Sequence, residues 1–356
     1  FGVVGACGHP SAHELVQQGA EPLVVVGSAL GVLDRQPLAG LPPERVVVLT
    51  LDGTVARAAF PASLVIEGDP GTAFRQLVAM LAEQPFRVSP PVGYALRHFP
   101  PKLESAGRAD DDTLLASEAI ASVAAYLPAD GHVLVDAGNC GASALHRLAV
   151  PRGTSVTVAL GMGGMGYSLP GAVGAQLGRT SGRTVVLCGD GSFLMNGFEV
   201  HTAVDLRLPI LYVVFNNHMH GTCVSRQRLL FDSRLECTRF SPVDVAAVAR
   251  GFGADERLWV GSAGTAAALA RGLADYHDNH ADRPGLLELR LTREEVPPIV
   301  PFVRPDATTD VVRHTHRHGI PTRGERHGNS ARHTRQPQQD PAAHHALRPG
   351  HSHDFP

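Results

Sequence analysis

The chain has 356 residues, room for two domains of ordinary size, and its 44% hydrophobic content suits a packed core. A net charge of −3 supplies no basic field for nucleic acid or an anionic membrane surface, and no apolar run approaches the ~18 residues of a membrane-spanning helix. The cysteines (Cys7, Cys140, Cys188, Cys223 and Cys237) form no CxxC pair, which argues against a zinc site or disulfide framework and fits a reducing cytoplasm.

Phe1 stands inside an apolar run rather than after a methionine, the start expected of a processed or truncated product. Residues 1–85 alternate short apolar runs with helical segments. LVVVGS (Leu23–Ser28), RVVVLT (Arg45–Thr50) and SLVIEG (Ser63–Gly68) predict strands buried on both faces. PGTAFRQLVAML (Pro70–Leu81) predicts a helix with proline in its first turn and one apolar face. A complete doubly wound domain has about five or six strands, so this first one is expected to be truncated. Residues 86–112 carry proline pairs and charges and read as a linker.

A second α/β domain is expected over 113–296. Asp110–Thr113 reads as a helix start ahead of LLASEAIASVAAYL, and VLVDAGN (Val133–Asn139) as strand then turn. TVVLCGDG (Thr184–Gly191) and ILYVVFNN (Ile210–Asn217) repeat that pattern, with a helix over Asn196–Leu206 between them. SPVDVAAVARGFGA (Ser241–Ala254) reads as a capped helix ending at glycine, and PGLLELRLT (Pro284–Thr292) as a last strand. The fold class is therefore α/β, two doubly wound domains with mostly parallel sheets. From residue 297 the chain becomes a tail rich in histidine, arginine and proline. It buries too little surface to offset its ordering entropy and is expected to be disordered. A pair such as His344–His345 could hold a metal loosely, although a solvated tail is the simpler reading.

Chemistry concentrates at two strand ends. Asp190 follows one strand and Asn217 the next, 27 positions later. Adjacent parallel strands would bring them to about 5 Å at the edge where open α/β sheets bind ligands. A carboxylate, an amide oxygen and a nearby backbone carbonyl are hard donors suited to Mg²⁺, which completes its octahedron with phosphate oxygens and water. Gly189 and Gly191 permit close backbone approach, and Gly191 and Ser192 can offer N–H donors to an anion. The residues alone thus describe a site for Mg²⁺ and a diphosphate.

GDG followed by NN at this spacing resembles the thiamine diphosphate (ThDP) enzymes, in the branch of acetolactate synthase, pyruvate oxidase and pyruvate decarboxylase. The resemblance covers about residues 1–296: the back half of the family's central domain, then its diphosphate-binding domain. It implies that Asp190, Asn217 and the carbonyl of Met219 hold Mg²⁺. GMGGMGYSLPGAVGAQLG (Gly161–Gly178) resembles the segment supporting the middle of the cofactor. There Gly163 would accept the pyrimidine amino group through its carbonyl, and Met165 would wedge between the rings. DAGNCGAS (Asp136–Ser143) occupies the place of a diphosphate loop, with Asn139 as a phosphate donor. Cys140 stands where the family tends to have histidine and donates poorly.

The implied activity is decarboxylation of a small 2-oxo acid followed by carboligation. The alternatives are an aldehyde-releasing decarboxylase and a non-catalytic remnant or subunit. The family's catalytic glutamate lies on a pyrimidine-binding domain that has no counterpart in this sequence. Activity is therefore expected to need a homo-oligomer or a chain supplying that domain, and this chain alone is expected to be inactive. Cys223 replaces the proton-donating glutamate of pyruvate decarboxylases, and Arg226 a tryptophan of acetolactate synthases. Arg226 could bind a substrate carboxylate or be a solvated arginine. His220 is a candidate proton shuttle, or equally a hydrogen-bonded loop histidine. Ala29 stands where an FAD-contacting arginine would be expected, which argues against FAD, with Arg35 as a substitute contact.

Overall fold

The computed structural model describes residues 3–83, apart from 19–21, 29–30, 32–33, 35–37, 39, 60–61 and 63, and residues 113–299, apart from 254–255 and 293. The expected linker, all but three residues of the expected tail, Ala29 and Arg35 lie outside the described residues.

The first sheet is parallel with strand order β1-β2-β3. Its strands are β1 (Leu23–Val26), β2 (Val46–Thr50) and β3 (Leu64–Glu67), accompanied by α1 (Pro10–Gln18), α2 (Gly53–Ala59) and α3 (Pro70–Ala82). Val46 and Val48 of β2 are fully buried, in a small core with Leu38 and Ala56. The expectation of strands buried on both faces holds for β2 only. Val24, Val26, Leu64 and Ile66 on the flanking strands are exposed. One small core covers one face of the outer strands; among the described residues nothing covers the other. Helix α3 forms as expected, with Asp69 accepting from the Thr72 N–H at 2.7 Å and Pro70 in the first turn, but none of its residues is buried.

The second sheet has six strands, all parallel, in the order β5-β4-β6-β7-β9-β8. They are β4 (His132–Val135), β5 (Ser155–Val158), β6 (Thr184–Gly189), β7 (Ile210–Asn216), β8 (Trp259–Ala263) and β9 (Gly285–Arg290). The helices are α4 (Ala116–Ala124), α5 (Asn139–Arg147), α6 (Ser168–Leu177), α7 (Asp190–Asn196), α8 (Glu199–Asp205), α9 (Gly221–Leu230), α10 (Val245–Arg250) and α11 (Ala266–Asn279). Alternation along the strands feeds two cores. Val133, Val135, Val185, Leu187, Leu211 and Val213 pack with α4, α5 and α11 on one face. Leu134, Val186, Cys188, Tyr212 and Val214 pack with α6, α8 and α10 on the other. A central strand with neighbours on both faces must be apolar at every position, hence the unbroken runs VVLC and ILYVVF.

Local boundaries differ from the sequence reading where polar side chains intervene. Helix α4 starts at Ala116, where Glu118 accepts from the Leu115 N–H at 3.2 Å, rather than at Asp110–Thr113. Asp190 is itself the first residue of a helix, and the expected Asn196–Leu206 helix is instead α7 and α8, parted at Gly197–Phe198. Helix α10 is capped by Asp244, which accepts from the Ala247 N–H at 2.7 Å.

Candidate functional site

The chain leaves β4 for β5 on one side and returns to β6 on the other, so strand order reverses between β4 and β6. Parallel strands that diverge in this way open a crevice at their carboxyl ends. Asp136 and Asp190 are the residues that follow the two strands at that crevice.

Asp136 is fully buried and saturated with donors. One oxygen accepts from the N–H groups of Ala137 and Gly166, both at 2.9 Å, and from the Ser192 hydroxyl at 2.8 Å. The other accepts from the N–H and hydroxyl of Ser168, at 2.8 and 2.6 Å. One carboxylate thus ties the end of β4 to the start of α6 and to α7. Sequence reasoning treated Asp136 only as the opening of a loop. The signal was present: like Asp190, it is an acid directly after an apolar strand.

Asp190 lies across from the turn after β7. One oxygen accepts from its neighbour Gly191 N–H at 2.8 Å; the other accepts from the N–H groups of Asn217 at 2.9 Å and His218 at 2.5 Å. The Asp190 side chain therefore meets the main chain of Asn217 rather than its side chain, and the Gly191 N–H is committed to Asp190 rather than free for an anion. Burial raises the Asp190 pKa above the usual carboxylate range, opposed by these three donors. His218 takes a left-handed backbone with φ of +57°, an uncommon conformation for a residue with a side chain. The turn returns as an antiparallel bridge: Phe240 N–H donates to the His218 carbonyl and His220 N–H to the Thr238 carbonyl. In that register the paired residues Met219 and Arg239 bond outward, so the Met219 carbonyl points away from residues 238–240.

A cavity of about 100 Å³ lies among these elements. It brings together Asn139, Met165, Gly189, Asp190, Gly191, Ser192, Asn217, Met219, His220 and Cys223. Gly163 is exposed and outside the lining, as is Arg226, which sits on the open side of α9. The Asn139 amide is spent on α9, donating to the Ser225 hydroxyl at 3.2 Å and accepting from the Thr222 hydroxyl at 2.8 Å. What remains for an anion is backbone. Helices α5 and α9 both begin on the cavity, and their first-turn N–H groups have no partner within the helix. The Cys140 thiol, in the first turn of α5, is pushed up to about 12 by burial and by the Asp136 charge, so it stays neutral.

Gly191 has a steric reason to lack a side chain. A Cβ there would lie 2.8 Å from His220 Nδ1 and 3.3 Å from Met165 Cε. His220 Nδ1 is buried without a hydrogen-bond partner, and its ring rests on Phe240 with centroids 5.4 Å apart. Two further carboxylates on the lining, Glu294 and Glu295, went unnoticed in the sequence because they follow the last strand in an ordinary charged stretch. Asn216, the partner of Asn217 in the motif, points into the fold. It donates to the buried Glu288 carboxylate at 2.6 Å and to the Val243 carbonyl at 2.8 Å.

With this geometry in view, residues 136–288 match the family described as "Thiamine pyrophosphate enzyme, C-terminal TPP binding domain". This segment is similar to the TPP-binding domain of thiamine pyrophosphate enzymes. Its first matched residue is Asp136 and its last Glu288, two of the three buried carboxylates described above. The chain is 36% identical over 127 residues to the acetolactate synthase isozyme 2 large subunit of Escherichia coli (strain K12), covering 35% of this chain and 23% of that protein. It is 34% identical over 100 residues to the acetolactate synthase of Bacillus subtilis (strain 168), covering 28% and 17%. A longer match, 24% identical over 311 residues, is to the Escherichia coli (strain K12) acetolactate synthase isozyme 1 large subunit and covers 85% of this chain and 52% of that protein. The chain thus spans at most about half the length of these relatives. Among the described residues no helix is long and apolar enough to cross a membrane.

Proposed function

We propose that this chain supplies the diphosphate- and Mg²⁺-holding part of a ThDP-dependent, acetolactate synthase-like enzyme that decarboxylates a 2-oxo acid and joins the product to a second carbonyl. The observation that carries the proposal is the Asp190 carboxylate drawing the Asn217–Met219 turn to the crevice where α5 and α9 begin. The donor set fits the group: a carboxylate, an amide and an outward carbonyl for a hard cation, and first-turn N–H groups for a diphosphate. When bound, ThDP supplies the electron sink for the carbanion left by loss of CO₂. The chain's own residues bind and orient. Asp190, Asn217 and Met219 would hold the metal, Met165 would set the bend of the cofactor, and Asp136 would keep α6 and α7 in register around it.

Every carboxylate on the described cavity lining already has partners. Asp190 takes backbone donors, Glu294 takes Arg228 and Arg239, and Glu295 takes Ser117. None is free to relay a proton to the cofactor's pyrimidine, so that relay would have to come from outside the described residues. One observation favours a second reading, aldehyde release: His220, with its unpartnered Nδ1 beside Gly191, is placed to protonate.

Calorimetric titration with ThDP, with and without Mg²⁺, tests the proposal against an Asp190→Ala variant. Weak but Mg²⁺-dependent binding that vanishes in the variant is expected. Absence of binding by the folded chain, even with a pyrimidine-binding domain added, would overturn it. Product analysis of the reconstituted enzyme separates a hydroxy-keto acid from an aldehyde.

A further inference from the structure

Asp190 holds the metal turn from one side. The other side is held by Glu294, four residues past the end of β9. One Glu294 oxygen is bonded to the Arg228 guanidinium on α9; the other accepts from Arg239 Nη2 at 2.8 Å. Arg239 is the residue paired with Met219 in the antiparallel bridge. The adjacent Glu295 fixes the same stretch to the opposite wall, accepting from the Ser117 N–H at 2.9 Å and its hydroxyl at 2.5 Å, in the first turn of α4. Leu291, Glu294 and Glu295 line the cavity, with Glu294 fastened to α9 and Arg239 and Glu295 fastened to α4.

We infer that Glu294 is a positioning residue that fixes the Asn217–Met219 turn, through Arg239, and the last turn of α9, through Arg228, beside the cofactor cavity. A carboxylate shared by two guanidiniums is held by charge-assisted bonds, and its side chain is only 22% exposed, which limits screening by solvent. Without it, two neighbouring cations would face each other across the rim. The Arg239 side chain would then lose its anchor beside the bridge to Met219, and the end of α9 its tie to the stretch after β9. The chemistry recognised is that of a divalent cation and its diphosphate, so the consequence for binding rests on the function proposed above; the consequence for the turn does not.

Two measurements on the full chain test this. Hydrogen exchange of the ligand-free protein compares wild type with Glu294→Gln, which keeps the shape and removes the charge. Exchange should rise at residues 218–220, 227–230 and 238–240 while β6 and β7 keep their protection. Glu294→Asp, which keeps the charge, should retain more of the protection over 238–240 than Glu294→Gln. Unchanged exchange in Glu294→Gln would overturn the inference, whether or not the chain binds ThDP. Uniformly faster exchange over the sheet would also overturn it, by showing a general structural role. In the second measurement, the Mg²⁺ concentration for half-saturation with ThDP should rise by about 10- to 100-fold in Glu294→Gln. If wild type binds and the variant binds equally well, the positioning role is refuted while the proposed function stands.

Discussion

The Asp190 carboxylate accepts the Asn217 N–H at 2.9 Å, joining two residues 27 positions apart through main chain rather than through facing side chains. The bond leaves the Asn217 amide and the Met219 carbonyl uncommitted to Asp190. Replacing Asp190 by asparagine leaves one acceptor oxygen where three N–H groups converge and turns an NH₂ toward at least one of them. Mg²⁺-dependent ThDP binding should be lost. The fold should weaken by about 1–3 kcal/mol, the cost of a buried donor left unpaired. Calorimetry and urea unfolding read the two effects separately.

Burial also holds a proton on Asp190 to higher pH than on an ordinary aspartate. A cation binding there must expel that proton. Affinity for Mg²⁺ with ThDP should therefore fall as pH is lowered toward the raised pKa, and binding should release protons. Titration in buffers of different ionisation enthalpy measures the release. The same heat in every buffer at acidic pH would show that Asp190 is already ionised.

Asp136 should matter to the fold first. Its five donors come from three segments, and an amide in its place can accept through only one oxygen. Asp136→Asn should cost at least about 2 kcal/mol, because hydrogen bonds to a buried charged group are the strong ones. Urea unfolding checks this. ThDP binding, measured below the unfolding transition, should weaken as α6 and α7 lose their common anchor.

Much of this was legible in the sequence because the physics was local. Unbroken runs such as VVLC and ILYVVF read as doubly covered strands, and an acid after one strand with paired asparagines after the next marks a shared edge. The Leu23–Val26 and Leu64–Glu67 runs look the same, yet each shows an exposed face. Composition gives a strand's appetite for burial, not whether anything lies over it. Strand β5, reading SVTV, and strand β8, reading WVGSA, were missed because edge strands bury less and need fewer apolar residues. Glu294, Glu295 and Glu288 were invisible because their roles depend on partners 26 to 178 positions away. Asn216 and Asn217 are adjacent and identical in type. Only the pleat, which sends Asn216 to Glu288, separates their roles.

Two glycines give a paired test of fold against binding. A Cβ at Gly141 would lie 2.1 Å from the Asp136 backbone oxygen, and neither backbone can give way. Gly141→Ala should destabilise strongly or fail to fold. At Gly191 the clashing atoms are the ends of the His220 and Met165 side chains, which can rotate. Gly191→Ala should keep its unfolding midpoint, helped by the better helix propensity of alanine, and lose ThDP affinity as those side chains move into the cavity. Thermal unfolding beside calorimetry separates them. Unimpaired binding by Gly191→Ala would mean that the cofactor does not approach this turn.

Away from the cavity, His146 predicts a pH dependence of stability. Its Nδ1 meets the Gly8 carbonyl at 3.1 Å, and its ring lies 5.0 Å from that of His9. Burial, with the neighbouring Arg147 charge, lowers its pKa to about 4, against an unfolded value of 6.5. Between those values the unfolded chain binds the extra proton and the folded chain does not. Stability is therefore fully present above pH 6.5 and is lost as pH falls through the window to about 4. The urea midpoint should drop across that range, and His146→Gln should flatten the drop by up to one proton's worth. His9 and His132, whose pKa values burial also lowers, should supply the remaining slope. An unchanged slope in His146→Gln would mean that this ring is not held neutral by the fold.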